Sequence, residues 1–167
     1  MRADLYLIPI PANGRLAILP RPRGGDWLAD EVAAWRRAGV DVVLSMLTPD
    51  EVADLGLTAE ADECRAQGIE FLTLPVPDRG VPAPKVAADM IARLVGLIAD
   101  GKTVAVHCRQ GIGRSAVLAA GVLIVLGADA ESAIRAVADA RGCPVPETPE
   151  QRRWIVDFAG SLAQAAR

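Results

Sequence analysis

The 167-residue chain is poor in the side chains that announce a metal centre or a disulfide scaffold. It holds three cysteines, Cys64, Cys108 and Cys143, and one histidine, His107. An odd, sparse cysteine set cannot be a disulfide framework. With a single histidine and no cysteine pair at ligand spacing, neither a Cys/His zinc site nor any other bound metal is expected. Lysine is nearly missing: Lys85 and Lys102 stand alone among 18 basic residues, against 21 acidic ones, for a net charge of −3. A nucleic-acid binder needs a basic face that this balance does not supply, so no nucleic-acid partner is expected. Alanine is abundant beside the arginines, which points to genome composition rather than phosphate recognition as the source of the arginine bias. Long apolar runs are missing too. The longest uncharged one, Ala116 to Ala128, falls short of the ~20 residues of a spanning helix and reads as a buried helix. At the N-terminus Asp4 and Pro9 interrupt what a secretory segment would need as a continuous apolar stretch. Together these absences predict a soluble, cytoplasmic protein without membrane insertion.

What is present is 51% hydrophobic residues with 23% charged ones, too apolar for intrinsic disorder and sized for one domain spanning residues 1–167. Strand and helix patterns alternate. Leu5–Ile10 and Leu16–Leu19 read as strands around an Asn13-Gly14 turn. Asp26 can cap a helix with the stripe Leu28, Val32 and Trp35, ending at Gly39. Val40–Leu47 reads as a buried strand. Thr48-Pro49-Asp50-Glu51 is a capping box with proline at the first helical position. A helix over Ala59–Gln67 stops at Gly68, and Ile69–Leu74 reads as a strand. Four prolines and a glycine make 75–84 a stiff loop. Beyond it the pattern predicts a helix over Lys85–Asp100 with Val86, Met90, Leu94, Leu97 and Ile98 as its stripe, and a strand over Lys102–Val106. Helices follow over Ser115–Leu126, about Ala130–Ala140, and from Pro149 onwards. The fold class is therefore α/β: a single domain with a mostly parallel central sheet flanked by helices on both faces.

The chemistry concentrates in Thr103-Val104-Ala105-Val106-His107-Cys108-Arg109-Gln110-Gly111-Ile112-Gly113-Arg114-Ser115, a strand running through a glycine-containing loop into an apolar helix. Such a loop can turn successive N–H groups inward as an anion nest, with the helix N-terminus adding positive potential. Gly111 and Gly113 permit φ > 0 or close backbone approach. Cys108 stands at the start of this cradle, where the same N–H groups depress a thiol's pKa. Arg114 can bind two phosphate oxygens as a fork, Ser115 can donate its hydroxyl to the sulfur, and His107 can orient the loop from below. Arginine six residues after a cysteine means little in a chain where 16 of 167 residues are arginine. The other two cysteines fail that test, with Glu70 and Pro149 at the same offset. Context carries the signal: histidine before, two glycines within, serine after, strand upstream and helix downstream.

The stretch His107 to Ser115 resembles the HC-x5-R-S/T signature of cysteine-dependent protein tyrosine phosphatases, and the chain looks like a small dual-specificity-type member. Ile69–Pro84 and Pro146–Gln151 also resemble family segments. The resemblance implies a phosphomonoester hydrolase that uses no cofactor. In it Cys108 attacks phosphorus to form a phosphocysteine, Arg114 holds the equatorial oxygens, and Arg109, Gln110, Gly111, Ile112 and Gly113 line the substrate. It also implies a general-acid aspartate from a loop about 30 residues upstream, which is Asp78. Pro77-Asp78-Arg79-Gly80 equally satisfies ordinary turn preferences. Gln151 resembles a glutamine that positions water in larger relatives, yet Thr148-Pro149-Glu150-Gln151 is also a complete capping box, so both roles stay open. Cys64 and Cys143 read as small buried hydrophobes, either of which could resolve an oxidised Cys108. Low-molecular-weight phosphatases and arsenate reductases carry their cysteine near the N-terminus, and rhodanese-like sulfurtransferases lack the Gly-x-Gly-Arg-Ser run. The expected partner is a phosphorylated protein or peptide. A phosphoinositide or other small phosphate ester is the alternative, and a silent phosphate-binding module the rival of another class.

Overall fold

A computed structural model describes residues 1–167. Five strands form one sheet: β1 (Tyr6–Ile8), β2 (Arg15–Leu19), β3 (Val42–Ser45), β4 (Glu70–Thr73) and β5 (Thr103–His107), in the order β1-β2-β5-β3-β4. Only β1 runs antiparallel to its neighbour; β2, β5, β3 and β4 are parallel. The helices are α1 (Leu28–Arg37), α2 (Pro49–Asp54), α3 (Glu60–Ala66), α4 (Pro84–Ala99), α5 (Arg114–Val125), α6 (Ala130–Arg141) and α7 (Pro149–Ala165), with a 3₁₀ turn at Gly25–Trp27. No helix is long and apolar enough to cross a membrane.

Because successive strand residues point to opposite faces, the central strands feed two cores. Leu16, Ile18, Val42, Leu44, Val104 and Val106 join α4, α5, α6 and α7 in the larger one. Ala17, Leu19, Val43 and Ala105 join α1 and α3 in the smaller. The alternation continues past the end of β5. His107 turns to the small face beside Trp35, with ring centroids 6.1 Å apart, and Cys108 packs with the larger core. α5 is buried nearly all round, as its uncharged sequence after Arg114 requires.

Three sequence readings need correction. Asp26 does not cap α1: the chain enters through the 3₁₀ turn, and Trp27 at the cap makes no side-chain bond. The buried stripe of α4 is Ala87, Ile91, Leu94 and Ile98, while Val86 is exposed. That helix carries apolar residues on adjacent stripes, and Ile91 is drawn inward where Gly121 lets α5 approach: a Cβ there would meet Ile91 Cδ1 at 2.4 Å. Asn13-Gly14 belongs to a longer bend rather than a tight hairpin. Gly14 N–H donates to Ile98 O, and its missing Cβ makes room for the Lys102 carbonyl.

Candidate active site

The loop between β5 and α5 is shaped by its glycines. Gly111 has φ +74°, and a Cβ there would meet the Leu19 carbonyl oxygen at 2.6 Å and Pro20 N at 2.8 Å. Both the left-handed backbone and the contact with the end of β2 exclude a side chain. Gly113 needs close approach only, since a Cβ would strike Glu147 Oε2 at 2.8 Å and the Gln151 amide. From outside, Arg141 at the end of α6 donates to Gly111 O (3.2 Å) and Gln110 O (3.0 Å) and lies 4.1 Å over the Tyr6 ring. Anchoring these carbonyls outward leaves the neighbouring amides free to face the cradle.

Cys108 is 3% exposed, and its Sγ lies 3.2 Å from Ser115 Oγ. Burial pushes the thiol up, but the Ser115 hydroxyl, the Ser115 and Gly111 amides and the Arg114 charge outweigh it, so the thiol is held below its ordinary value of 9.0. The structure therefore brings Cys108, Gly111, Arg114 and Ser115 together. Ile112 is half-buried against the larger core, whereas Arg109 and Gln110 are exposed at the rim.

Arg114 is almost wholly buried and lies in a ring of acceptors. Nη1 donates to Glu51 Oε2 at 2.8 Å and Val76 O at 2.7 Å; Nη2 donates to Glu51 Oε1 at 2.9 Å and Asp78 Oδ1 at 3.2 Å. The fork's bidentate partner is thus Glu51. That carboxylate has a second duty, because Oε2 also accepts from Thr48 N–H (2.9 Å) in the capping box of α2. Burial pushes the Glu51 carboxyl up; the Arg114 guanidinium and the Thr48 amide overcome this and hold it below its usual range. The sequence showed Glu51 as a helix-start residue, and nothing in its spacing signalled Arg114.

The loop carrying Asp78 is a tight turn closed by Gly80 N–H to Pro77 O at 2.8 Å. Arg79 within it has φ 62°, rare for a residue with a side chain. Side chains at the start of α7 fasten this loop: Arg79 Nη1 donates to Glu147 Oε1 (3.1 Å), Gln151 Nε2 to Gly80 O (3.1 Å), and Trp154 Nε1 to Pro82 O (3.0 Å). Gln151 is fully buried, and its Oε1 accepts from Glu147 N–H and Thr148 N–H. The capping role is therefore observed, joined to a tether that sequence reading did not foresee. His107 is fully buried: Nε2 lies 2.6 Å from Glu60 Oε1 and Nδ1 3.2 Å from Cys108 O. Glu60 also went unnoticed in the sequence, where it read as an ordinary helix residue. Cys64 lies in the small core on the opposite face of the sheet from Cys108, with burial pushing its thiol up to about 12; it is badly placed to resolve an oxidised Cys108. Cys143 is only partly buried rather than buried as expected, packing against the larger core from the loop after α6. A groove of about 410 Å³ between the start of α4 and α7 shares no residue with the Cys108 loop.

Residues 19–128 match the family described as polymorphic toxin system, DSP-PTPase phosphatase. Over 130 residues the chain is 25% identical to cyclin-dependent kinase inhibitor 3 of Rattus norvegicus, a match covering 77% of this chain and 61% of that protein. The chain thus spans somewhat under two thirds of that relative's length. In structure it is similar to kinase associated phosphatase (KAP) bearing serine for its catalytic-site cysteine, with TM-score 0.90, 19% identity and coverage of 98% of this chain and 97% of that one. It is also similar to PTPMT1 in complex with PI(5)P, with TM-score 0.76, 23% identity and coverage of 95% and 98%. These two likenesses establish the fold.

Proposed function

The chain belongs to this family of DSP-PTPase phosphatases, and from that premise we propose that residues 1–167 hydrolyse phosphomonoesters through a phosphocysteine on Cys108, with phosphorylated protein or peptide as substrate. The observation that carries the reading is the buried Cys108 thiol, held low by Ser115 and the loop amides, with the Arg114 guanidinium fixed beside it by Glu51. In the first step the Cys108 thiolate attacks phosphorus as the bond to the leaving oxygen breaks. Asp78, as the acid, gives that oxygen its proton. Water then attacks phosphorus, the Asp78 carboxylate takes the water's proton, and the sulfur leaves as a thiolate stabilised by the Ser115 hydroxyl. The loop amides and Arg114 stabilise the charge on the transferring oxygens.

Arg114 has two donor positions to offer a phosphate: Nε–H and the Nη2 hydrogen now held by Asp78. An arriving phosphate that takes the latter frees Asp78 to turn to the leaving group. Substrate binding and release of the acid are then one event. Arg109 and Gln110 at the rim are the side chains left to read what lies beyond the phosphate, and a single arginine there favours a protein over a polyanionic lipid headgroup.

The test is a panel of p-nitrophenyl phosphate, phosphotyrosine, phosphoserine and phosphothreonine peptides, and phosphoinositides. Turnover of phosphopeptides above lipids, resistant to EDTA and abolished in Cys108→Ser, is the expected result. Phosphoinositide hydrolysis far above every peptide would move the substrate to the lipid class. Binding without turnover would mark a silent phosphate-binding module.

A further inference from the structure

Glu60 is a carboxylate 1% exposed, reached by no substrate and used by no step above. One oxygen lies 2.6 Å from His107 Nε2, and the other, Oε2, has no hydrogen-bond partner at all. A buried acid left half-satisfied is costly. The other ring nitrogen, Nδ1, is 3.2 Å from Cys108 O. A carbonyl only accepts, so Nδ1 must carry hydrogen for that contact to be a bond. A 2.6 Å approach of Nε2 to a carboxylate oxygen likewise needs a proton between them. The two side chains therefore hold two protons in total, either as imidazolium with carboxylate or as neutral imidazole with carboxylic acid. In both arrangements Nδ1–H donates to the Cys108 carbonyl.

Nothing else nearby can do this. The ionisable groups facing His107 are Glu60 from α3 and the Cys108 thiol from the loop. α1 offers the Trp35 ring, and the flanking strands pair Leu19 and Ser45 with it. Cys64, one turn along α3 and within the field of Glu60, is held as the neutral thiol. Burial disfavours the imidazolium, but the Glu60 charge and the hydrogen bonds to Glu60 and the Cys108 carbonyl prevail, raising His107 above 6.5.

Resting on the phosphatase reading above, we propose that Glu60 is a positioning residue for the nucleophile. It keeps the second proton on the imidazole, as imidazolium against carboxylate, so that His107 always presents Nδ1–H to the Cys108 carbonyl and places positive charge beneath the thiolate. The linkage runs through the sheet, from α3 on the small face to Cys108 at the edge of the large one.

The test uses two readouts. His107 is the only histidine in the chain, so ¹⁵N NMR of the wild-type protein reports its ring nitrogens without assignment ambiguity. Nδ1 is expected to stay protonated from about pH 5.5 to 8, with no titration near the ordinary value of ~6.5. In Glu60→Gln the amide can donate to Nε2 and preserve Nδ1–H while removing the charge. The midpoint for Cys108 alkylation by iodoacetamide should then rise by about 1 unit, and the acid limb of kcat/KM should follow it. KM for p-nitrophenyl phosphate at a pH above both midpoints should stay near wild type. Free titration of wild-type His107, or a Cys108 midpoint unmoved in a folded Glu60→Gln, overturns the proposal while leaving the phosphatase reading intact. Should Glu60→Gln not fold, the wild-type NMR alone decides. A wild-type Cys108 that alkylates as an ordinary thiol overturns both readings.

Discussion

At the level of single residues, two carboxylates share one guanidinium. Asp78 and Glu51 both accept from Arg114, yet their settings separate their roles: the Asp78 side chain is 52% exposed and that of Glu51 11%. The exposed one can leave the arginine and meet a leaving group. Asp78→Ala should therefore lower kcat by about 10²–10⁴ and flatten the alkaline limb of the pH–rate profile, while vanadate affinity stays near wild type. Wild-type kcat in that variant would move the acid to another residue. Removing the buried partner should act differently. Glu51→Ala leaves buried Arg114 with only the half-exposed Asp78 as counter-charge and strips α2 of its capping box, so unfolding free energy should fall by about 3 kcal/mol. Urea denaturation measures that loss, and the KM for substrate should rise in the same variant. A stability change of a few tenths would show the Arg114–Glu51 pair to be unimportant.

At the element scale the strand–loop–helix from Thr103 to Val125 carries both fold and chemistry. Gly111→Ala would demand a left-handed alanine and a Cβ inside the Leu19 carbonyl. A cost of about 1–3 kcal/mol from the backbone alone is expected, with loss of vanadate binding exceeding any loss of helix measured by circular dichroism. Undiminished vanadate binding would mean the loop does not need its observed shape. This element was legible in sequence because its signals are local: β-branched residues, two glycines, then a helix apolar beyond its first turn. The capping boxes at Thr48 and Thr148 were legible for the same reason. Glu51 and Glu60 were not, because their partners lie 63 and 47 residues away and only the sheet order unites them. The stripe of α4 was misread because two adjacent apolar stripes satisfy the same period, and contact with Gly121 of α5 selects between them.

At the scale of the whole molecule, carboxyls and an imidazole shifted in opposite directions make stability depend on pH from both sides. Asp41, just before β3, accepts from Thr103 N–H and Arg36 Nη1, and its carboxyl and that of Glu51 are held below their ordinary 3.8 and 4.5, burial opposing and hydrogen bonds prevailing. Their contributions are present above those values and lost as pH falls through the depressed folded ones. His107 is raised above 6.5, so its contribution is complete below that value and lost as pH climbs through the raised one. The Cys108 thiol, lowered from 9.0, acts in the opposite sense to His107, its contribution being lost as pH falls through its folded value. In Cys108→Ser, where that opposing group is gone, the urea midpoint should peak near about pH 5.5 and decline on both sides. A midpoint rising steadily to about pH 8 would deny the His107 contribution. Covalent chemistry at one sulfur is tested by acid quenching during turnover of p-nitrophenyl phosphate, followed by peptide mass mapping. The account predicts a phosphoryl group on the peptide containing Cys108, accumulating in the steady state when Asp78 is replaced by alanine and missing from Cys108→Ser. Phosphate trapped on another residue, or turnover by Cys108→Ser at the wild-type rate, would contradict it.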